Sequence, residues 1–353
     1  SDFINCARHW DALYKDKDKA LRLLNKATEA AKSSADWRDC AVNIISIIDD
    51  KRRGEHCLNI AKEKASSCSD FLNLIDPWND LSSDQHSSLH FLLKGQNLAD
   101  SVYEWIWCAR EWKNTFNGDR EASDCLLSAE SIADSTSHWL SISEEWHTLF
   151  NDINRVKNCF KKAEAHINYF SDFTSCAEAY LKVLKDEINS RRIINQMKSE
   201  ADTADLLYNC AEAMYENFGD EHETNSCLRE MRKIADSSGD WIKCAKISIK
   251  YLDDEQSGTE FLKKAGELAE DYYDWSACSD AWISLLNNKE KASKIFLEGE
   301  QKAKSSGDFH SYAGIWATKF RDMQGVRRCL NKAEDTAKMS LDWINCSKLW
   351  MSE

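Results

Sequence analysis

The sequence predicts an all-α protein built as an array of stacked 34-residue helical hairpins. Three observations lead to this fold class: a marker residue returns at a constant interval, apolar residues have helical spacing, and chain breakers are scarce, with 1 proline and 11 glycines in 353 residues. Proline and glycine dominate turns, so their rarity argues against sheets and long loops. Apolar residues make up 42% and charged residues 30%, which is enough for a core and unlike a disordered chain.

The repeat is marked by an aromatic residue, here called the anchor, that usually follows an aspartate. Every interval between anchors is 34 residues, and only Leu207 is not aromatic. The anchors are Phe3, Trp37, Phe71, Trp105, Trp139, Phe173, Leu207, Trp241, Trp275, Phe309 and Trp343. A fixed period of this length is typical of repeat architectures. It predicts a single array over residues 1–353, with repeats starting near residues 2, 36, 70, 104, 138, 172, 206, 240, 274 and 308 and a terminal helix at 342–353.

Each repeat is predicted to begin with a helix, called helix A. The aspartate before the anchor can accept hydrogen bonds from the free N–H groups of a first helical turn, so helix A is expected to start near the anchor. Counted from the anchor, position +3 is commonly cysteine, +4 is small and +7 is commonly tryptophan, as in Cys6, Ala7 and Trp10. Spacings of 0, 3, 4 and 7 form one apolar stripe on a helix.

A second helix, helix B, is predicted after a short polar turn. Position +17 is small or short, +21 is large and apolar, and +24 and +28 are mostly alanine or glycine. The first repeat shows the series as Ala20, Leu24, Ala27 and Ala31. Small residues let helix axes approach closely, while the large ones fill the space between repeats. Because one hairpin cannot bury its apolar face alone, the repeats are expected to stack.

This pattern resembles the tetratricopeptide repeat, over the whole chain. The resemblance implies a right-handed superhelical solenoid of about ten repeats plus a final helix, in which the helices A line a concave groove that binds proteins or peptides. Two departures from the family pattern are visible: the usual proline after helix B is absent, and cysteine stands where helix A usually has leucine. The helix B series is also displaced by one residue, so the pitch is expected to differ from the family norm.

The third repeat is irregular because it contains the only proline. Pro77 falls inside the predicted helix A, where it removes a backbone hydrogen bond and kinks or restarts the helix. We expect a purely local kink, with a functional hinge as the alternative.

The cysteines are interpreted as core residues. Of the 14 cysteines, eight lie at position +3, five at position +20, and only Cys68 lies outside these registers. Cysteines confined to core registers behave as small buried hydrophobic residues. A large set of free thiols indicates a reducing compartment. Together with the lack of a visible signal peptide or membrane-spanning run, it predicts a cytoplasmic protein.

The sequence offers no catalytic centre, so we expect neither an enzyme nor a cofactor. His86 and His90 have a spacing that could hold zinc, but no third ligand is evident, and a solvated helix face is the expected role. Phosphate-binding loops and nucleophile motifs are absent from the sequence. The net charge of −14 argues against nucleic acid or an anionic membrane as partner.

A partner-binding groove is predicted from the helix A positions +2, +5 and +9. The candidate residues are Trp107, Arg110, Glu144, Glu178, Glu212, Glu216, Lys243, Lys246 and Lys250. An exposed aromatic beside ordered charges suits peptide binding, because the ring anchors the ligand and the charges set its register. The acidic row predicts a partner with a basic segment. The alternative is a solvated face whose charges serve solubility.

Three functions are compatible with the pattern. The leading hypothesis is a non-enzymatic scaffold that binds a protein or peptide through the groove. The second is self-assembly through uncapped ends, with Trp343 and Trp350 as the possible end interface, because an isolated solenoid needs polar terminal repeats. The third is a sensor or scaffold region of a larger multidomain protein.

Overall fold

The computed structural model describes residues 2–82 and 85–339, and these residues form helices and turns without a strand. The helices are α1 (Asp2–Tyr14), α2 (Lys17–Ala30), α3 (Ser34–Asn43), α4 (Lys51–Lys64), α5 (Cys68–Leu72), α6 (Ile75–Ser82), α7 (Gln85–Leu98), α8 (Val102–Phe116), α9 (Asp119–Ile132), α10 (Thr136–Phe150), α11 (Ile153–Ala165), α12 (Phe170–Ala179), α13 (Glu187–Glu200), α14 (Ala204–Phe218), α15 (Glu221–Ile234), α16 (Ser238–Lys246), α17 (Glu255–Glu267), α18 (Tyr272–Leu286), α19 (Lys289–Lys302), α20 (Ser306–Ile315) and α21 (Met323–Thr336). Short π-helical turns extend α3, α12, α16 and α20 at Ile44–Ile48, Tyr180–Leu184, Ile247–Tyr251 and Trp316–Phe320. None of the described helices is long and apolar enough to cross a lipid bilayer.

The predicted hairpins are present. In the repeats other than the sixth, helix A packs against its own helix B, as in the pairs α1–α2, α8–α9 and α14–α15. Helices A of consecutive repeats also contact one another, for example α8 with α10 and α16 with α18. The array of 34-residue helical hairpins is therefore confirmed over the described residues, whereas the right-handed twist and the terminal helix at 342–353 stay predictions. Residues 342–353 lie outside the described part of the chain.

Contacts divide the chain into two compact units. The first ends at Lys185 and the second begins at Asp186, at the turn between the two helices of the sixth repeat. The 34-residue period continues through this point.

The start of helix A differs from the expectation based on the aspartate. Ser33 is the N-cap of α3: its hydroxyl accepts a hydrogen bond from the Asp36 N–H at 3.2 Å, and Asp36 accepts one from the Ser33 N–H at 3.0 Å. This reciprocal pair is a capping box, which satisfies two N–H groups that lack a helical partner. The same box precedes α5, α16 and α20. Helix A therefore begins about three residues before the anchor.

The turn between helices A and B is nearly the same in every described repeat. The residue at position +12 has a positive φ, at Lys15, Asp49, Asn117, Asn151, Lys185, Gly219, Asp253, Asn287 and Arg321. The next residue is commonly an aspartate that caps helix B; Asp50, for example, accepts a hydrogen bond from the Arg53 N–H at 3.0 Å. This left-handed residue followed by a cap accounts for the short polar turn of the sequence pattern.

The predicted apolar stripes form the core. Trp139, Trp146, Trp275, Trp282 and Trp316 are buried. The cysteines of the described chain are also buried, with one exception. Cys6 is exposed, contrary to the expectation for position +3.

Pro77 restarts a helix, as one of the two predicted outcomes. Helix A of the third repeat is broken into α5, which ends at Leu72, and α6, which begins at Ile75. Pro77 therefore lies in the first turn of α6, where a missing N–H removes no helical hydrogen bond.

Candidate functional site

The first unit places four of the predicted groove residues on neighbouring helices A. Trp107 and Arg110 lie on α8, Glu144 on α10 and Glu178 on α12. Arg110, Glu144 and Glu178 are exposed, and Trp107 is half-buried. Position +5 is thus a solvent-facing row on consecutive helices.

Trp107 lies between two cavities. One, of about 450 Å³, extends from Trp107 towards Arg110, Ser141 and Glu144. The other, of about 340 Å³, extends from Trp107 towards the helices A of the first three repeats. Both cavities are lined by Trp107 and by Glu111, one turn further along α8. The half-exposed indole is therefore accessible from both sides.

The second cavity contains residues that the sequence analysis missed. Arg8, Arg38 and Asp76 line it, together with Pro77. Arg8 and Asp76 occupy position +5 of the first and third repeats, so extending the register to those repeats would have identified them. Pro77 reaches this surface through the restart of α6, which no register predicts. We use the name Trp107 groove for Arg8, Arg38, Asp76, Trp107, Arg110, Glu111 and Glu144.

Hydrogen bonds fix the floor of the Trp107 groove. The indole Nε1 of Trp107 donates to Glu111 at 3.2 Å, and the hydroxyl of Thr115 donates to the other carboxylate oxygen at 3.0 Å. Burial raises the pKa of Glu111, although these two hydrogen bonds favour its charged form. The carboxylate holds the indole in place while leaving the ring face open.

The charges beside Trp107 link consecutive repeats. Arg110 donates to Glu145, a buried carboxylate on α10, at 2.5 Å, and this hydrogen bond raises the pKa of Arg110. Lys182 pairs with Glu144 at 3.0 Å. Glu178 has no ion pair within the described ranges. The predicted acidic row is therefore partly neutralised in the folded chain, which the sequence did not indicate.

Several of the predicted residues of the second unit are joined by hydrogen bonds between side chains. Lys250 donates to Glu216 at 3.0 Å, and the Tyr251 hydroxyl donates to Glu212 at 2.7 Å. The Tyr208 hydroxyl donates to Glu212 at 3.2 Å. The hydrogen bond from Lys250 lowers the pKa of Glu216, and burial raises the pKa of Tyr251. These groups join the seventh and eighth repeats.

Two further lysines complete the predicted set in this unit. Lys243 forms ion pairs with Asp205 and Asp240. Lys246 is exposed and has no ion pair among the described residues. Trp343 and Trp350, the predicted end interface, lie outside the described residues, so that interface stays a prediction.

Other reactive groups form no site in the described chain. His86 and His90 are exposed on α7, as expected for a solvated face. No group of three histidine, cysteine or acidic side chains within residues 2–82 and 85–339 is placed to hold a metal ion. Burial raises the pKa of Cys159 and of Cys210 to about 12, which keeps these thiols protonated and unreactive at neutral pH.

No family model and no curated protein matches the sequence. Among solved structures, the crystal structure of yeast Tom70 is similar with a TM-score of 0.32 and 11% identity, covering 99% of this chain and 88% of that chain. The pentatricopeptide repeat protein PPR10 from maize is similar with a TM-score of 0.26 and 8% identity, covering 99% and 66%. A circular tandem repeat protein has a TM-score of 0.13 and 12% identity, covering 99% and 77%.

The 34-residue period and the packed helical hairpins define the fold of this chain. Consecutive helical pairs and a constant 34-residue interval recur along the described residues. The chain is an all-α protein of stacked helical hairpins over these residues.

Proposed function

We propose that the chain is a non-enzymatic scaffold that binds a protein or peptide in the Trp107 groove. The observation that carries the proposal is the position of Trp107, whose half-buried ring lies between two cavities that share it as a wall. A rigid aromatic surrounded by polar groups is the usual anchor of a protein interface.

The charges support a basic segment in the partner. Asp76 is exposed at one end of the Trp107 groove, and Glu178 is exposed on α12, beyond Glu144. Arg38 and Arg110 are already paired, with Asp39 and Glu145 respectively. Arg8 is also exposed and donates to the neutral Asn43 side chain at 2.7 Å. A ligand would therefore meet Asp76 and Glu178 as well as Arg8, and the two carboxylates favour a lysine or arginine. The net charge of −14 favours the same partner at longer range.

We assign most of the predicted residues of the second unit to contacts between repeats and not to the partner. Glu212, Glu216, Lys243 and Lys250 are bonded to neighbouring repeats, so we assign them to contacts within the array rather than to partner binding. Lys246 is the exposed exception and is kept as a candidate contact.

Selection of a random peptide library on the immobilised full chain tests the proposal. We expect enriched peptides to contain basic residues and to bind Trp107→Ala at least tenfold more weakly than the unmodified chain. Asp76→Lys should weaken the same peptides by charge reversal. Tyr273→Ala is the matched control, because this tyrosine is 78% exposed and lies outside the groove. Equal affinity for the unmodified chain and Trp107→Ala, with both folded by circular dichroism, would overturn the proposal.

A further inference from the structure

Two positions of the seventh repeat, the anchor and position +23, meet in one cavity. Leu207 is the anchor that is not aromatic. It lines a cavity of about 470 Å³ in the second unit, together with Glu230 and Lys233 of α15 and Lys198 and Asp202 at the end of α13. This volume is within the range of pockets that hold small ligands or single side chains.

Four other repeats pair the anchor ring with a lysine of helix B. Four described repeats have a lysine at position +23 over the anchor ring, at 4.2 Å for Lys162 on Trp139 and 4.0 Å for Lys264 on Trp241. The remaining two pairs are Lys26 on Phe3 and Lys332 on Phe309. A cation over an aromatic face is a favourable contact that covers the ring. The arrangement thus pairs an aromatic anchor with a cation from helix B.

The seventh repeat lacks both partners of this contact. Leu207 replaces the ring, and Glu230 occupies position +23, where the four repeats have lysine. Glu230 is exposed and forms an ion pair with Lys233 at 2.7 Å, three residues further along α15. An exposed pair of this kind contributes little stability and can be exchanged. Asp202 is exposed at the rim and has no ion pair within the described chain.

We propose that this cavity, called the Leu207 pocket, binds an aromatic side chain of a protein or peptide partner that carries a neighbouring lysine or arginine. The partner's ring lies in this cavity beside Leu207, which is smaller than the aromatic anchors of other repeats, and contacts the exposed Ile234 at the rim. The partner's cation lies beside Glu230 and Asp202, so that the partner supplies both groups that the seventh repeat lacks. The site is separate from the Trp107 groove, which belongs to the first unit.

Methyl NMR of the full chain, labelled at leucine and isoleucine methyl groups, tests the proposal with the dipeptide acetyl-Trp-Lys-amide. We expect saturable shifts of the Leu207 and Ile234 methyl signals in the millimolar range. Acetyl-Trp-Glu-amide should bind at least threefold more weakly, and acetyl-Ala-Lys-amide should give no saturable shift at these signals. Equal shifts with the alanine and tryptophan peptides would overturn the proposal.

Variants separate this pocket from other sites. Leu207→Trp should fill the cavity and abolish the shift of Ile234, and Leu207→Phe serves the same purpose if the tryptophan variant does not fold. Glu230→Lys should remove the preference for the lysine peptide but keep binding of the ring, whereas Glu267→Lys, an exposed change on α17 away from the cavity, should alter neither. Trp107→Ala should leave the titration unchanged. An unaltered titration in both Leu207 variants would contradict the assignment.

Discussion

At the scale of single residues, the anchor is buried in the fifth to tenth repeats, whereas Phe3 is exposed and Trp37, Phe71 and Trp105 are half-buried, contrary to the prediction for the core stripe. Trp139 is only 3% exposed, and Lys162 covers its ring. We expect Trp139→Ala to lower the free energy of unfolding by about 3–5 kcal/mol, because it removes apolar contacts and leaves a cavity. Urea denaturation measures this loss. Glu178→Lys, an exposed change on α12, is the control and should stay within about 0.5 kcal/mol of the unmodified chain. Similar stability of the two variants would show that the register does not define the core.

Glu300 gives a prediction about pH. This carboxylate is fully buried and accepts hydrogen bonds from Arg328 at 2.7 and 2.8 Å and from Lys332 at 3.0 Å. Burial alone would raise its pKa, but these partners outweigh burial and lower the pKa to about 2. Because the folded-state pKa lies below the ordinary value of 4.5, Glu300 stabilises the fold above about pH 4.5, and this contribution is lost as the pH falls towards 2.

Comparison with Glu300→Gln measures that contribution. We expect the variant to be less stable at pH 7 by an amount on the order of 3 kcal/mol, since the lowered pKa reflects favourable interactions of the charged form. The difference in unfolding free energy should shrink between about pH 5 and pH 2. Glu298→Gln is the control, because this carboxylate is exposed two residues earlier on the same helix. A difference between Glu300→Gln and the unmodified chain that does not change with pH would contradict the assignment.

The sequence predicts such residues only in part. The spacing of Trp139, Cys159 and Ala163 was enough to place them in the core, because helical periodicity determines which side chains face the neighbouring hairpin. The buried Glu300 could not be predicted in the same way, because its position alone does not identify the arginine and lysine that approach from the next repeat. The partners of Glu144 and Glu216 escaped prediction for the same reason.

At the scale of helices, one hydrogen bond recurs between repeats. The indole N–H of the tryptophan at position +7 donates to the residue at position +25 of the preceding repeat, at 2.8 Å from Trp112 to Gln96 and 2.9 Å from Trp146 to Glu130. The eighth repeat has Gly266 at position +25, and the buried indole N–H of Trp282 in the following helix A has no partner among the described residues. An unpaired buried donor costs about 1–3 kcal/mol.

Gly266→Gln should restore this link. A Cβ at Gly266 would approach only Ile295, at 4.0 Å, so a Cβ fits there without rearrangement. We expect Gly266→Gln to be more stable than Gly266→Ala by about 1 kcal/mol, because alanine supplies only the helix propensity and glutamine also supplies an acceptor. Urea denaturation of the two variants provides the comparison. Equal stability of the alanine and glutamine variants would show that the link does not form.

The positions of the helix boundaries were predicted only in part. Asp36 was expected to start its helix, whereas Ser33 is the cap and Asp36 closes the capping box from within the first turn. The serine three residues before the aspartate carries this information, so the boundary was present in the sequence. The restart of α6 was predicted only as one of two outcomes, because a proline is compatible with both a kink and a first turn.

At the scale of the whole molecule, the period predicted the repeat architecture but not the cavities on its surface. The constant 34-residue interval was sufficient for the array of hairpins, since each hairpin must be covered by the next. The division after Lys185 could not be predicted, because the period continues without interruption. Trp107 was predicted as an exposed aromatic, but one of its two cavities depends on Arg8, Arg38 and Pro77, which lie 30 or more residues away in the chain.

Fluorine NMR of Trp107 tests directly whether the partner binds in the Trp107 groove. The chain contains 14 tryptophans, which can be replaced by 5-fluorotryptophan, and Trp107→Phe identifies the signal of Trp107 by its loss. On titration with a peptide selected on the full chain, we predict a saturable shift of the Trp107 signal, while the signals of the buried Trp139 and Trp146 stay in place. If the peptide binds and the Trp107 signal does not shift, the Trp107 groove is not the binding site.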